Sequence, residues 1–222
     1  MAAQGRAPRA IVIENVVGLL TSHNGRDFAA LGEALAAQGH AFGALEIDAA
    51  GFLPRSRPRV FVIATREPPP AELVGRSPFH SRAVQDAHAN LPQDLAERWI
   101  WWRASSPAPR NTDLAALLEP DEAVVWHSSE RTARWLDLMA ALHLARLDAF
   151  RARRARAVGA LYRRMRMEAG QRVQRAEARF DGLAGCLRTP RRGSSRQVIL
   201  VVQDGKVRTR LLQPREAVRL IG

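Results

Sequence analysis

The apolar positions near the start of the chain predict a strand followed by a helix. Residues 10–13 are apolar at every position, which is typical of a strand covered on both faces in a parallel α/β sheet. Residues 26–38 place Phe28, Leu31 and Leu35 at helical spacing, and a glycine follows directly. The pattern therefore indicates a buried strand and the crossover helix that succeeds it.

Two further strands are predicted before the first proline run. Residues 41–49 and 59–65 are rich in apolar and β-branched side chains, and the short connection between them favours an antiparallel hairpin. Residues 67–70 contain three consecutive prolines, which neither a strand nor a helix can continue through. We interpret this run as the end of the first region.

The middle of the chain has a different composition. All five tryptophans lie between residues 80 and 187, and residues 114–118 and 132–157 have the apolar spacing of helices. The aromatic cluster at residues 99–102 is interpreted as core of a small second domain in preference to a base-stacking surface.

The end of the chain predicts a hairpin and a helix. Residues 198–202 and 207–212 are two strand-like runs, and the Asp-Gly pair between them is the signal of a type I′ turn. Pro214 suits the first position of a helix, but Gln213 before it is a weaker N-cap than serine or threonine. We therefore expect a hairpin followed by a weakly capped helix.

The charge of the chain is high and concentrated. The formal net charge is +12, and residues 146–196 hold 15 arginines against four acidic residues, which gives +11 in this segment alone. Such a concentration indicates an anionic partner, with nucleic acid first. An arginine-favouring coding bias is the alternative, since Lys206 is the single lysine. The run at residues 151–156 is interpreted as a phosphate contact in preference to a solvated helix face.

The sequence also excludes several classes of protein. No apolar run approaches the roughly 18 residues of a membrane span, and the N-terminus lacks the apolar segment of a signal peptide, so we expect a cytoplasmic protein without a membrane partner. Cys186 is the lone cysteine, and the histidines show no ligand spacing. We therefore expect neither a disulfide nor a metal site.

Two groups of residues are candidates for chemistry. Glu14 follows the first strand directly, and α/β sheets bind ligands beyond the carboxyl ends of their strands. Arg55, Arg57 and Arg59 alternate in the turn before the third strand, so an extended backbone would direct all three guanidinium groups to one side. Such a group calls for an anion or a set of acceptors, and a solvated turn is the alternative.

These motifs, in this order, resemble those of bacterial DNA cytosine-5 methyltransferases. Glu14, Asn15 and Val16 after an apolar strand resemble one family motif, and the Arg-x-Arg-x-Arg turn resembles a second. Arg55 stands where that second motif usually has glutamine, which removes an amide expected to stabilise the loop. The segment at residues 188–197 resembles the ninth motif, and residues 214–222 resemble the helix that follows this motif in the family.

The resemblance implies a fold and a division into domains. We expect an α/β fold, namely the C-terminal half of a Rossmann-like S-adenosylmethionine-dependent methyltransferase sheet with a smaller mixed α+β target-recognition domain. Residues 1–79 would be part of the catalytic domain, and residues 80–212 the target-recognition domain with the ninth-motif hairpin. Residues 213–222 would begin a truncated helix that returns to the catalytic domain.

The resemblance also implies roles for individual residues. The family flips a cytosine out of the duplex, attacks its C6 with a thiolate, and methylates C5 from S-adenosylmethionine. Glu14 would be the acid at N3 of the base, Arg59 the guanidinium at O2, and Arg57 a supporting contact. The arginine- and serine-rich ninth-motif loop offers a grip for phosphate, with a plain surface turn as the alternative. The residues expected to bind DNA are Asn15, Arg55, Arg188, Arg191, Arg192, Ser194, Ser195 and Arg196.

The nucleophile motif, the cofactor loop and the last motif of the family pattern are expected to be absent from these 222 residues. The nucleophile should lie in a Pro-Cys pair upstream of Glu14, but Cys186 lies far downstream with no proline before it. The glycine-rich cofactor loop is also missing. We expect a C-terminal fragment or split subunit, inactive alone, that acts on double-stranded DNA with a complementing N-terminal subunit holding most of the S-adenosylmethionine site. The alternative is a non-catalytic basic DNA-binding protein derived from such an enzyme.

Overall fold

The computed structural model describes residues 8–187 and 197–222. These residues form two compact units, and each unit takes two stretches of the chain. The first contains the described residues up to Asp48 together with Pro58–Ala108. The second contains Ala49–Arg57 and the described residues from Pro109 onwards. None of the helices in the described part of the chain combines the length and the apolar composition required to span a bilayer.

The first unit is a three-stranded sheet with helices packed against it. The strand order is β1-β3-β2, and both pairings are antiparallel. This confirms the predicted hairpin between the second and third strands and the helix between the first two. The elements are β1 (Ala10–Asn15), α1 (Arg26–Ala37), β2 (Ala41–Asp48), β3 (Pro58–Thr65), α2 (Arg82–Ala89) and α3 (Gln93–Ala96).

The first strand is present as predicted, but its predicted environment is wrong. β1 pairs with β3 in the antiparallel direction, with Ile13 opposite Val62, and its burial alternates. Ile11 and Ile13 pack against the core, whereas the side chain of Val12 is 65% exposed. A run that is apolar at every position carries no period of two, so the sequence could not show which face was covered.

The tryptophan cluster is core, as predicted, but it belongs to the first unit. The rings of Phe28 and Phe42 lie edge-on to Trp99, with centroids 6.1 and 5.6 Å away. Trp102 is buried, and its indole Nε1 donates a hydrogen bond to the carbonyl oxygen of Ile63 at 3.0 Å. These aromatic rings therefore stabilise the first unit and do not form the core of the expected second domain.

One edge of this sheet is hydrogen-bonded to a further backbone segment, and the other edge is not paired within the described residues. The segment 98–102 runs along the outer edge of β2, where the amide of Phe42 donates to Arg98 O at 3.1 Å and the amide of Ile100 donates to Phe42 O at 2.7 Å. Within the described residues, β3 is the only strand that pairs with β1. The outer edge of β1 is consequently open in this part of the chain.

The second unit is a four-stranded antiparallel sheet with the strand order β5-β4-β6-β7. One hydrophobic cluster packs two helices against the sheet, and another gathers the last helix and a short 3₁₀ turn at Leu114–Leu117, where a helix was predicted. The elements are α4 (Ser129–Asp137), α5 (Ala141–Ala152), β4 (Ala157–Glu168), β5 (Gln171–Arg179), β6 (Val198–Gln203), β7 (Lys206–Leu211) and α6 (Pro214–Arg219).

The predicted helix at residues 132–157 is wrong in its extent. α4 ends at Asp137, α5 begins at Ala141, and the last predicted residue already belongs to β4. The carbonyl oxygen of Leu138 accepts a hydrogen bond from the amide of Ala176 in β5 at 2.9 Å. Ala140 has extended backbone angles of −71° and 154°, and the helix is interrupted there.

Two hairpins close with two-residue turns. Asp204 and Gly205 have φ angles of 50° and 74°, so both central residues show the positive φ of the predicted type I′ turn. Ala169 and Gly170 between β4 and β5 have φ angles of 47° and 79°, and this second hairpin was not predicted. Within the arginine-rich segment, Ala157–Glu168 and Gln171–Arg179 are therefore strands.

The division into units does not follow the domain boundaries expected from the sequence. Residues 80–108 pack with the first unit, and the loop Ala49–Arg57 packs with the second. The assignment of residues 80–212 to target recognition concerns function, and it stays a prediction.

Candidate functional site

The first unit brings two of the predicted site residues together. Glu14 lies near the end of β1, and Arg59 lies near the start of β3. Because the two strands pair in the antiparallel direction, the end of β1 lies beside the start of β3 and the two residues meet. The Nε atom of Arg59 lies 3.2 Å from Oε1 of Glu14. The arginine side chain is 18% exposed and the glutamate side chain 48% exposed, so the carboxylate faces solvent more than the guanidinium does.

A second contact of Arg59 orients its guanidinium. Nη1 donates a hydrogen bond to the carbonyl oxygen of Pro58 at 2.7 Å, which leaves the planar group held on two sides. A guanidinium has five N–H groups in a fixed fork, so donors remain for a further acceptor. The pair therefore offers a carboxylate and several N–H donors at one end of the sheet.

Asn15 has a local structural role in the turn after β1. Its side-chain Oδ1 accepts a hydrogen bond from the amide of Val16 at 2.8 Å. This bond shapes the exit from the strand into the 3₁₀ turn Val17–Leu20. The residue is exposed, and its expected contact with DNA stays a prediction.

Arg55 and Arg57 lie in the second unit, in the loop Ala49–Arg57. The amide of Ser56 donates to Ala184 O at 2.9 Å, and the amide of Ala184 donates to Pro54 O at 2.8 Å. These two bonds attach the loop to the segment that runs towards the ninth motif. Because Arg59 belongs to the first unit, the expectation that all three arginines share one side stays a prediction.

Cys186 lies beside one of these arginines. Nη1 of Arg57 approaches Sγ of Cys186 at 3.8 Å, and the thiol donates to Leu187 O at 3.7 Å. The cysteine is partly buried, which agrees with its interpretation as a packed thiol. The remaining predicted DNA-binding residues, Arg188, Arg191, Arg192, Ser194, Ser195 and Arg196, lie outside the described residues.

Comparison with known protein families identifies the family of the chain. A family model described as C-5 cytosine-specific DNA methylase matches residues 2–222. The chain belongs to this family. A comparison with curated proteins gives no significant match. The family suspected from the Glu-Asn-Val and Arg-x-Arg motifs is thereby confirmed.

C-5 cytosine DNA methylases act on DNA and use S-adenosylmethionine as methyl donor. In the first unit, one cavity of about 550 Å³ has the size for a ligand of this class. The cofactor carries a sulfonium cation and ribose hydroxyls, which carboxylates recognise, whereas the cavity lining has a guanidinium and no carboxylate. The lining residues are Gly75, Arg76, Ser77, His80, Gln85 and Trp101, and they do not fit the cofactor.

Several arginines of this methylase chain have internal structural partners. Asp121 accepts hydrogen bonds from Arg156 at 2.8 Å and from Arg208, and these two guanidinium groups hold the pKa of the Asp121 carboxyl below its ordinary value. Arg151 pairs with Asp148 at 3.1 Å. The run at residues 151–156 therefore has at least two arginines engaged within the protein, which weakens its interpretation as a phosphate contact.

Other arginines lie on β4 and β5, where the sequence indicated no strands. Most of these side chains are exposed. The signal that could have revealed the hairpin is the Ala169-Gly170 pair, a short turn between the two runs. Arginines lie on both faces of these runs, so the short alternation of Met165 and Met167 with polar residues did not mark a strand.

Proposed function

We propose that this chain contributes base activation and target recognition to the transfer of a methyl group from S-adenosylmethionine to C5 of cytosine in double-stranded DNA. The observation that supports this role is the contact between Glu14 and Arg59, with Nε and Oε1 3.2 Å apart in a chain of the C-5 methylase family. The double-stranded DNA substrate would place the protein at the bacterial nucleoid.

The chemistry of the pair suits a cytosine. A carboxyl group that shares a proton with N3 withdraws electron density from the ring, and C6 becomes easier to attack. The N–H groups of Arg59 would hold the exocyclic O2 of the same base and stabilise the charge that develops on it. The family resemblance assigns Arg57 a supporting role in the same chemistry.

The attacking thiolate requires a source other than Cys186. That thiol is partly buried beside Arg57 and is preceded by glycine, whereas the family nucleophile follows proline. We propose that residues outside these 222 supply both the thiolate and the cofactor loop, in a complementing N-terminal subunit or part. S-Adenosylmethionine supplies the electrophilic methyl group when it is bound there.

The test is tritiated methyl transfer from S-adenosylmethionine to DNA. The chain alone should transfer no methyl group, and addition of an N-terminal half with a Pro-Cys pair and a glycine-rich loop should restore transfer. Cys186→Ser should leave the restored rate unchanged. Transfer by the chain alone that is lost in Cys186→Ser would overturn the external-nucleophile proposal.

A DNA-binding protein without catalysis is the second candidate. The observation in its favour is the concentration of +11 of the net charge of +12 in residues 146–196, which serves binding whether or not chemistry follows. DNA binding that persists while no complementing half restores methyl transfer would select this function. Salt dependence of the affinity would measure the phosphate contacts in either case.

A further inference from the structure

The hairpin of β4 and β5 extends beyond the sheet of the second unit. β4 pairs with β5 over residues 160–168, but it pairs with β6 only over residues 157–161. Residues 162–168 therefore have a neighbouring strand on one side alone and span roughly 20 Å at the usual rise per residue. We call residues 162–175 the ribbon.

The two faces of the ribbon differ in charge balance. On one face the arginines are paired with carboxylates, since Nε of Arg166 donates to Glu177 at 2.5 Å and Nε of Arg175 donates to Glu168 at 2.7 Å. The hydrogen bond from Arg175 holds the pKa of the Glu168 carboxyl below its ordinary value. This face is largely neutralised within the protein.

Towards the tip of the ribbon, the other face carries four side chains in two cross-strand pairs. Met165 lies opposite Gln174, and Met167 lies opposite Arg172. The methionines are 50% and 65% exposed, and among the described residues no acidic group pairs with Arg172. We call these four residues the reading face. Exposed apolar groups beside an unneutralised guanidinium mark a surface that a partner covers.

The reading face continues a face that is covered elsewhere in the second unit. Leu161 and Ala176 lie on the same side of the strands and pack in the cluster that includes residues of α4 and α5. Arg163, also on this side, has its guanidinium 4.5 Å from the ring of Trp135. The packing of α4 and α5 on this face ends at Arg163, so the part of the ribbon towards its tip is exposed and available to a ligand.

We propose that the ribbon enters the major groove of the target DNA with the reading face towards the base edges. This inference rests on the proposed function and assigns the base-reading element. The major groove, about 12 Å wide, admits a two-stranded ribbon. Arg172 can donate two hydrogen bonds to a guanine, Gln174 can pair with an adenine, and the methionines can contact thymine methyl groups.

The shape of the tip suits this position. Ala169 and Gly170 form the turn, and neither has a side chain larger than a methyl group. A narrow tip allows the strands to approach the floor of the groove. The charge of the segment, 15 arginines against four acidic residues over residues 146–196, would attract the phosphates on both sides and argues for DNA over another protein.

The test compares variants of the two faces in the full chain. Arg172→Ala combined with Gln174→Ala should weaken binding to a duplex selected from a random pool by at least about tenfold, because two bidentate base contacts are lost. Binding to unselected DNA should change far less. Arg175→Ala is the matched control, since it removes one ribbon arginine from the opposite face, and it should weaken selected binding by less than about threefold. Circular dichroism melting verifies that each variant is folded.

Chemical footprinting provides an independent readout. Dimethyl sulfate methylates guanine N7 in the major groove, and the wild-type chain should protect guanines in the selected duplex. The double variant should lose this protection at one or two positions. Unchanged protection and unchanged selectivity in the double variant would overturn the inference, as would a wild-type chain that binds every duplex equally.

The outcomes separate this inference from the proposed function. Methyl transfer by the complemented wild-type assembly together with unchanged selectivity in the double variant would reject the ribbon as reader and retain the enzyme function. Loss of self-association or protein binding in the double variant, with DNA binding intact, would also reject it and assign the reading face to a protein partner.

Discussion

The carboxylate of Glu14 and the guanidinium of Arg59 meet at one end of the sheet of the first unit, with Oε1 and Nε 3.2 Å apart. Their strands are joined by the register that pairs Asn15 with Val60, and this antiparallel pairing fixes the distance between the two side chains. The two residues are well separated in sequence, so the pairing of β1 with β3 must form before the site exists.

Removal of either member of this pair should reduce methyl transfer. In a complemented assembly, Glu14→Ala and Arg59→Ala should each lower the rate of tritiated methyl transfer at least about tenfold, since each removes a contact that strengthens as charge develops on the base. Glu67→Gln is the control, because Glu67 forms an ion pair with Arg9 at 2.6 Å in which both side chains are exposed. Rates that stay at the wild-type value in both alanine variants would reject the site assignment.

The parts of the fold that could be predicted are those that a short sequence pattern specifies. The hairpin of β6 and β7 follows from two strand-like runs around an Asp-Gly turn, and α1 follows from apolar residues at helical spacing. The meeting of Glu14 with Arg59 was implied by the family resemblance. For the hairpin and the helix, a short stretch of sequence contains the information that sets the structure.

The parts that failed depend on contacts between distant segments. At the break between α4 and α5, Leu138 bonds to Ala176 of a distant strand, and the apolar spacing of residues 132–157 does not mark this contact. The contact of Arg57 with Cys186 joins positions 129 residues apart. The hairpin of β4 and β5 escaped detection because its exposed faces need no apolar alternation.

The buried ion pair of Arg210 and Glu216 should be essential for the stability of the second unit. The side chains are 1% and 0% exposed, and Nη1 of Arg210 donates to Oε2 of Glu216 at 2.8 Å. Glu216→Gln should lower the free energy of unfolding by about 3–5 kcal/mol, because the arginine would remain as a buried charge without its counterion. Urea denaturation followed by circular dichroism measures the change, and a loss below about 1 kcal/mol would contradict it.

The same carboxylate should make the stability depend on pH. Burial raises the pKa of Glu216, but hydrogen bonds from Arg210 and from the amides of Gln213 and Glu119 outweigh this effect and hold the pKa below its ordinary value. A lowered pKa in the folded state gives stability that is fully present above the unfolded value of about 4.3 and is lost as pH falls below it. The difference in urea midpoint between wild type and Glu216→Gln should therefore shrink as pH falls below about 4.3. A constant difference would contradict this assignment.

Gly43 should be intolerant of any side chain. A Cβ atom at this position would lie 1.8 Å from the carbonyl oxygen of Ile100, in the backbone segment that covers the edge of β2. Gly43→Ala should lower the free energy of unfolding by about 2–4 kcal/mol, since backbone atoms must move to relieve the overlap. Gly18→Ala is the control, because the nearest atom to its Cβ would be a side-chain carbon at 4.0 Å. Equal melting temperatures for the two variants would contradict the packing of this edge.

The open edge of β1 should make the isolated chain associate. Within the described residues the strand pairs only with β3, and an exposed strand edge with an apolar side chain such as Val12 is a template for another chain. Sedimentation velocity should show association that rises with concentration, and Val12→Lys should reduce it because a charge on an edge strand opposes pairing. Val218→Lys is the matched control, since Val218 is 66% exposed on α6 and its replacement adds the same charge away from the edge. A monodisperse monomer that melts cooperatively would show that this edge does not recruit a further strand, and equal effects of the two lysines would trace association to net charge.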